Sequence, residues 1–526
     1  MAKTIDPTLS DIASKNGEHV EFADSRTHGG SSGLHRRLGP RQIQLVAIGG
    51  SIGTALFIAI GSALYKGGPA SLLIAVIIEC TMVGLLNNCL AEMTTYMPVN
   101  GGFISLAGKW VDDAFGFMAG WNFFIYMALT VPILNLFAVE TYGEAEFWLS
   151  GGKVILIFIL FFFTLITMVG GNPQHDAYGF RYWGNPGGFA NLYDDGSLGQ
   201  FEGFLGALWT AIFTCVGPEY ISMVAAEAKH PRIYIKSAFK TVYWRFGVFF
   251  VGGALCVGIV IAYNDAGLVE AITSGESSAA ASPYIIAMKN LGIKGLPDLC
   301  SALMLTSVFS AGNTYTYAAT RALHGLAING RAPKFLAYTT KKGIPLYCFA
   351  VVIAFSFLSL LQLSGGSYQV LNWLISITTA NILIDYIIIM VTYISFYRAC
   401  MAQGFDRKTL PYVGRLQPYS AYIALVWFVL LVFCFGYKSF TPWDVSSFFL
   451  SYTMLLFNPI CFVFWKLFKK TTWLRPNEVD LKWEADAIAL YEEMERESPT
   501  TFWREMLHLV DPRGLIRRGK GNGSAV

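Results

Sequence analysis

Apolar stretches near twenty residues long recur along the chain, separated by short polar clusters. They occupy residues 43–65, 71–97, 119–139, 153–171, 204–226, 237–263, 296–327, 344–363, 369–397, 420–437 and 445–468. A helix crosses a hydrocarbon core about 30 Å thick in about 20 residues, so each stretch predicts a membrane-spanning helix. The ends differ in kind. Residues 1–40 and 471–526 read as polar tails around a membrane domain at 41–470, and no apolar run behind a basic start marks a cleaved signal peptide. The first span would then act as the insertion signal. In the C-terminal tail, Leu481, Ala485, Ile488, Leu490 and Met494 recur among acidic residues, which predicts a surface helix over 477–498.

Lysine and arginine collect in alternate connections, and their excess marks the cytoplasmic side. Lys466, Lys469 and Lys470 follow the last span, and Arg398, Arg407, Lys408 and Arg415 lie two spans earlier. Arg331, Lys334, Lys341 and Lys342, then Lys229, Arg232, Lys236 and Lys240, continue the series, and Arg36, Arg37 and Arg41 flank the first span. The 172–203 connection, where Asp176, Asp194, Asp195 and Glu202 stand against Arg181, is placed outside. Both tails thus read as cytoplasmic. An odd number of spans cannot return the chain to the side it left, and the conflict localises between Ala119 and Lys153. Either the segment around Pro132 enters and leaves on one side, giving ten spans, or an expected span is absent.

Composition agrees with lipid as the solvent: 54% of the 526 residues are hydrophobic and 14% charged, beyond the apolar share of an ordinary soluble domain. A net charge of +3 in short clusters gives no footprint for a nucleic-acid partner. The nine cysteines, including Cys80, Cys89, Cys215, Cys256, Cys300, Cys434 and Cys461 in apolar runs, show no CxxC and no cysteine–histidine pair at metal-ligand spacing. They read as small core residues, and no metal or cofactor is expected.

Two spans contain residues that a plain membrane helix would not choose. Gly49-Gly50-Ser51-Ile52-Gly53-Thr54 puts three glycines within five residues near the bilayer middle, and each costs about 1 kcal/mol against alanine in a helix interior. An unwound chain there presents backbone N–H groups to an anion such as an α-carboxylate, as half-helix termini do in broken-helix transporters. Close helix packing through small residues explains the same glycines equally well. Cys215-Val216-Gly217-Pro218-Glu219-Tyr220 is less ordinary, because it sets an acid beside a Gly-Pro break, and a charge in the bilayer costs at least ~2.5 kcal/mol. A substrate ammonium, a proton or an inward lysine would partner Glu219; a structural hydrogen bond is the plainer alternative. With one span restored between Ala119 and Lys153, the two broken spans stand five positions apart, as corresponding helices of two repeats do.

Other polar residues leave two readings each. Lys153, behind Glu140, Glu144 and Glu146, either snorkels into the headgroups or faces a substrate cavity and exchanges a proton there. Ser307, Ser310, Asn313, Thr314 and Thr316 form a polar stripe that lines a path or glues helices. Asp385, flanked by Asn372 and Asn381, serves function or an interhelical hydrogen bond. Lys3 and Lys15 are accessible to modification in the N-terminal tail.

The motifs GGSIGTALF at 49–57, AEMTTYMPVNGGF at 91–103, VDDAFGFMAGWN at 111–122 and EYISMVAAEAKHPR at 219–232 follow one another in order. Together they resemble fungal amino-acid permeases of the amino acid–polyamine–organocation superfamily, over residues 35–475 or so. GGNPQHDAYGFRYW at 170–183 further resembles the dicarboxylic branch, for which aspartate and glutamate would be the substrates. The resemblance implies an all-α polytopic broken-helix bundle: twelve helices, two inverted five-helix repeats plus two, with the first and sixth broken around the substrate. By the same resemblance Gly50, Ser51, Gly53 and Thr54 are the carboxylate-binding turn, and Gly217 and Glu219 the second break. Ser310 and Asn313 sit on helix eight beside the substrate, and Lys153, on helix five, joins Glu219 in proton coupling. The chain departs from the family pattern between AGWNFFIYMALTVP and YGEAEFWLS. Most of helix three and much of helix four, on the order of 40 residues and enough for more than one span, are lacking, which leaves ten or eleven helices.

The function so implied is proton-coupled import of amino acids, acidic ones first, by a multi-pass symporter of the plasma membrane working by alternating access. Its partners are the amino acid, the proton and the lipid bilayer, with ubiquitination and trafficking machinery acting on the tails. An amino-acid sensor would need longer signalling tails, and an open channel fits paired broken helices less well. An intramembrane enzyme lacks a metal-spaced cluster or nucleophile elbow. A shortened variant that inserts without transporting is the further alternative.

Overall fold

Backbone polar groups find no water in a hydrocarbon core, so a chain with this pattern satisfies them within helices. The computed structural model describes residues 36, 38–53, 55–130, 142–274, 279–340, 343–357 and 367–494. Its principal helices are α1 Pro40–Ser51, α2 Ile60–Tyr96, α3 Gly102–Trp110, α4 Asp113–Thr130, α5 Tyr142–Met168, α6 Gly196–Thr214, α7 Pro218–Val224 and α8 Pro231–Arg245. After them come α9 Gly252–Val260, α10 Leu296–Ile328, α11 Leu346–Ser356, α12 Ser367–Ala402, α13 Tyr419–Cys434, α14 Val445–Lys469 and α15 Ala485–Met494. Among the described residues, seven segments are long and apolar enough to cross a membrane. The outer faces agree with that: Ile460, Val463, Phe464 and Leu467 of α14 are exposed, as lipid-facing side chains would be.

Local chemistry sets the turns. α2 reverses at Gly68, whose φ of 79° favours glycine, and a Cβ there would lie 2.7 Å from the Gly188 carbonyl oxygen. Pro69 follows, with no N–H to leave unpaired. The predicted spans 43–65 and 71–97 are therefore two arms joined at this corner. In the C-terminal segment the predicted surface helix is α15, which buries Ala485 and Ile488.

Contacts fix the relative directions of the spans. Gln44 of α1 bonds Ser237 and Thr241 of α8, and Leu56 meets Gly253 of α9, so the first span and α8–α9 run parallel. Phe161 and Thr164 of α5 meet Gly252 and Cys256 in the same order, so α5 runs with them. Gly50 and Gly53 meet Thr314 and Ala311, so α10 runs opposite to α1; Gly116 and Gly120 meet Arg331 and Leu326, so α4 also runs opposite to α10. Hence α4 and α5, consecutive in the chain, point the same way. α4, which is helix three of the family pattern, keeps 18 residues, so the expectation that most of that helix is lacking is corrected, and the connection from it to α5, 131–141, lies outside the described residues. The place where the charge pattern fails is the place where two successive helices run in parallel.

The flanks of the membrane domain meet at the Lys/Arg-rich end. Arg36 lies over the Tyr491 ring at 4.5 Å, and Arg232 pairs with Glu492 at 3.5 Å. Lys466, at the end of α14, reaches Asp112 at 2.5 Å. Burial raises the Asp112 carboxyl, but hydrogen bonds from Lys466 and the Ala114 N–H outweigh it and hold the group below its ordinary value.

Candidate functional site

α1 stops at Ser51 because Ile52 turns to extended backbone (φ −108°, ψ 100°), and the span resumes as a π-helical turn at Ala55–Ala59. π turns inside helices gather at functional sites. α6 stops at Thr214, Gly217 takes φ 145°, and Pro218 opens α7, the position where a missing N–H costs least. The two breaks touch. A Cβ added to Gly217 would lie 3.1 Å from Ser51 Cβ, so the chain passes there only as glycine.

Glu219 stands in the first turn of α7 and is fully buried. Its Oε2 accepts from the Gly217 N–H at 3.2 Å, while Oε1 has no partner among the described residues. The structural hydrogen bond therefore exists but uses one oxygen, and the other is open to a cation. Three tyrosines surround the breaks. The Tyr126 and Tyr220 hydroxyls are 2.8 Å apart, the Tyr315 hydroxyl donates to the Gly50 carbonyl at 3.1 Å, and the Tyr220 and Tyr315 rings lie 5.9 Å apart. The Tyr220 ring occupies the space a side chain at Gly50 would need, and a Cβ at Gly53 would lie 3.2 Å from that of Ala311. Gly50 thus admits a close neighbour within α1, and Gly53 admits one in the interruption itself.

The other expected residues are placed as follows. The Ser51 hydroxyl donates back to the Ala47 carbonyl at 2.8 Å. Thr54 lies outside the described residues. Ser310 is buried and Asn313 half-buried on α10, the helix facing the first break. Much of the polar stripe is bonded to its own helix, Thr314 to the Ser310 carbonyl and Thr316 to the Gly312 carbonyl. Lys153 is fully buried, which overturns the snorkelling alternative; its neighbour Gly152 faces Thr306 of α10 at 3.7 Å.

Tyr126, Tyr220 and Tyr315 are what residue-by-residue reading missed. Tyr220 adjoins Glu219 and Tyr315 lies within the polar stripe, so both carried a signal, whereas Tyr126 sits in an apolar run and carried none. Also missed is a buried lock toward the Lys/Arg-rich end. Glu227 accepts from the Tyr317 hydroxyl at 2.5 Å and pairs with Arg321 at 2.8 Å, while the Leu38 N–H donates to the Glu227 carbonyl at 2.8 Å. It ties α10, the residues after α7 and the approach to α1 together. The stretch 170–183 instead forms a loop after α5 that ends in the short helical turn Arg181–Gly184, stapled by Arg181 on Asp176 at 2.6 and 2.7 Å. That hydrogen bonding holds Asp176 below the usual carboxylate range.

The family model for amino acid permeases matches residues 42–134 and 127–477, two pieces that overlap at 127–134, from the last turn of α4 onward. A general amino acid permease of Saccharomyces cerevisiae is 40% identical over 498 residues, covering 87% of this chain and 83% of that one. A proline-specific permease of Emericella nidulans is 34% identical, covering 92% of this chain and 95% of its own. A dicarboxylic amino acid permease of Saccharomyces cerevisiae is 34% identical, covering 85% and 79%. An alignment of 498 residues that takes in 87% of 526 leaves about 40 residues of the relative unmatched, roughly two spans' worth. With that similarity along most of its length, the chain belongs to the amino acid permease family, whose members are multi-pass membrane transporters and not enzymes.

Proposed function

We propose that this permease imports amino acids, acidic ones first, across the plasma membrane with an inward proton as the driving partner. The observation that carries the reading is the meeting of the two breaks at Gly217 and Ser51, with the open Oε1 of buried Glu219 beside them. The segment Gly50, Ser51, Gly53 and Thr54 at the first break, where α1 ends at Ser51, receives an α-carboxylate, and Gly217 with Glu219 receives the ammonium group or a proton. Ser310 and Asn313 would add polar groups from α10, next to Ala311 and Thr314, which meet Gly53 and Gly50. Lys153, enclosed rather than solvated, supports a part in proton coupling. The acidic preference rests on the 170–183 resemblance and on the relative named for dicarboxylic amino acids.

The test is a pair of variants expressed in permease-deficient yeast. Glu219→Gln should abolish uptake while surface expression persists, and Lys153→Ala should remove its acid stimulation; normal uptake by the first would take Glu219 out of the mechanism. A second reading is favoured by the parallel α4 and α5: the chain inserts but does not transport. It predicts no uptake until a helical segment from a relative is inserted after Thr130.

A further inference from the structure

Away from the breaks, α4, α12 and α14 meet around a polar cluster that the binding site does not use. Asn122 of α4 donates to the Asn381 carbonyl of α12 at 3.0 Å, and Asn458 of α14 donates to Asn122 Oδ1 at 2.7 Å. Asp385 is one helical turn beyond Asn381 and so shares its face, with its carboxylate toward Asn122. All four residues are buried. Among the described residues, neither oxygen of Asp385, neither polar side-chain atom of Asn381 nor Oδ1 of Asn458 has a hydrogen-bond partner.

A well-made structural network would not leave these atoms open, since an orphaned buried polar group forfeits its hydration without recompense and a charged one loses more. The open set is chiefly oxygen: one carboxylate and two amide carbonyls, against the open Asn381 amide nitrogen and the Asn122 amide toward which Asp385 turns. Such a set calls for a positive guest. Lysine and arginine are absent from the described parts of α4, α12 and α14 at this level; Lys466 and Lys469 lie at the far end of α14, where Lys466 is engaged with Asp112. The titratable groups facing Asp385 are Glu219 from α7 and Tyr126 from α4, with Tyr386 next to it on α12. Glu79 of α2 lies beyond Tyr386 and accepts from Trp427 of α13 at 3.2 Å.

We propose that Asp385, with the amide oxygens of Asn381 and Asn458, is a proton-binding site of the permease, loading from water and exchanging with the same pathway that charges Glu219. The step is a bare proton transfer. A hydronium ion gives its proton to a carboxylate oxygen, the new O–H donates to an amide oxygen, and no electrons change hands. The proposal rests on the proton-coupled reading above, and its test does not require that the substrate be known.

The test is infrared difference spectroscopy of the purified full-length protein in lipid, comparing acidic and alkaline buffer in the carboxylic-acid C=O region. The wild type should show a protonated carboxyl at acidic pH that is lost on alkalinisation, and Asp385→Asn should lack one such equivalent per chain. That component should survive in Glu219→Gln with a shifted midpoint. Asp385→Glu, which keeps the carboxyl, should retain a displaced band and decides the matter if the asparagine variant does not fold. An unchanged difference spectrum in Asp385→Asn would overturn the proposal. So would a band that sodium chloride removes at constant pH when choline chloride does not, since the guest would then be a metal cation. Absent glutamate uptake with the Asp385 band intact would count against the transport reading alone.

Discussion

Glu219 and Gly217 were legible because an acid beside a Gly-Pro pair inside an apolar run is chemically costly wherever it stands. Tyr126 was not, since a tyrosine among phenylalanines announces nothing until its hydroxyl meets that of Tyr220 at 2.8 Å. Gly217 is the sharpest test at this scale. Its φ of 145° and a Cβ 3.1 Å from Ser51 mean that Gly217→Ala forces strain of about 1–3 kcal/mol or drives the breaks apart. The expected result is a lower melting temperature in detergent together with loss of uptake; an alanine variant matching wild type in both would show that the breaks need not touch.

Among elements, both interruptions were readable from composition, and α10 and α14 were placed within a residue or two, because period and length decide a membrane helix. Partners distant in sequence were not. Glu227 and Arg321 are separated by 94 positions, and nothing local marks either as half of a buried pair at 2.8 Å. Removing one member of such a pair strands a charge, at a cost of about 3–5 kcal/mol. Arg321→Met should therefore destabilise the protein strongly, and Glu227→Gln added to it should restore part of the loss. Melting curves of the single and double variants measure this, and an additive double variant would deny the coupling. The polar stripe on α10 shows the opposite limit: the sequence displayed its hydroxyls, but only coordinates show that Thr314 and Thr316 bond their own helix.

For the whole molecule, charge placement predicted both flanks on one side and a failure of span parity between Ala119 and Lys153. Arg36 over Tyr491 and Arg232 at Glu492 put the flanks together, and parallel α4 and α5 locate the failure. Cysteine-accessibility mapping should find residues near Arg36 and near Lys470 labelled from the same side; labelling from opposite sides would defeat the charge reading. Substrate choice was not legible, since it depends on side chains converging from several helices and the 170–183 motif forms a loop of its own. The most direct measurement is uptake of radiolabelled glutamate, against neutral and basic amino acids, in permease-deficient yeast expressing this chain at acidic and neutral pH. Saturable glutamate uptake that rises on acidification is the predicted result. A chain that reaches the cell surface yet takes up no amino acid, or does so indifferently to pH, would contradict proton-coupled import.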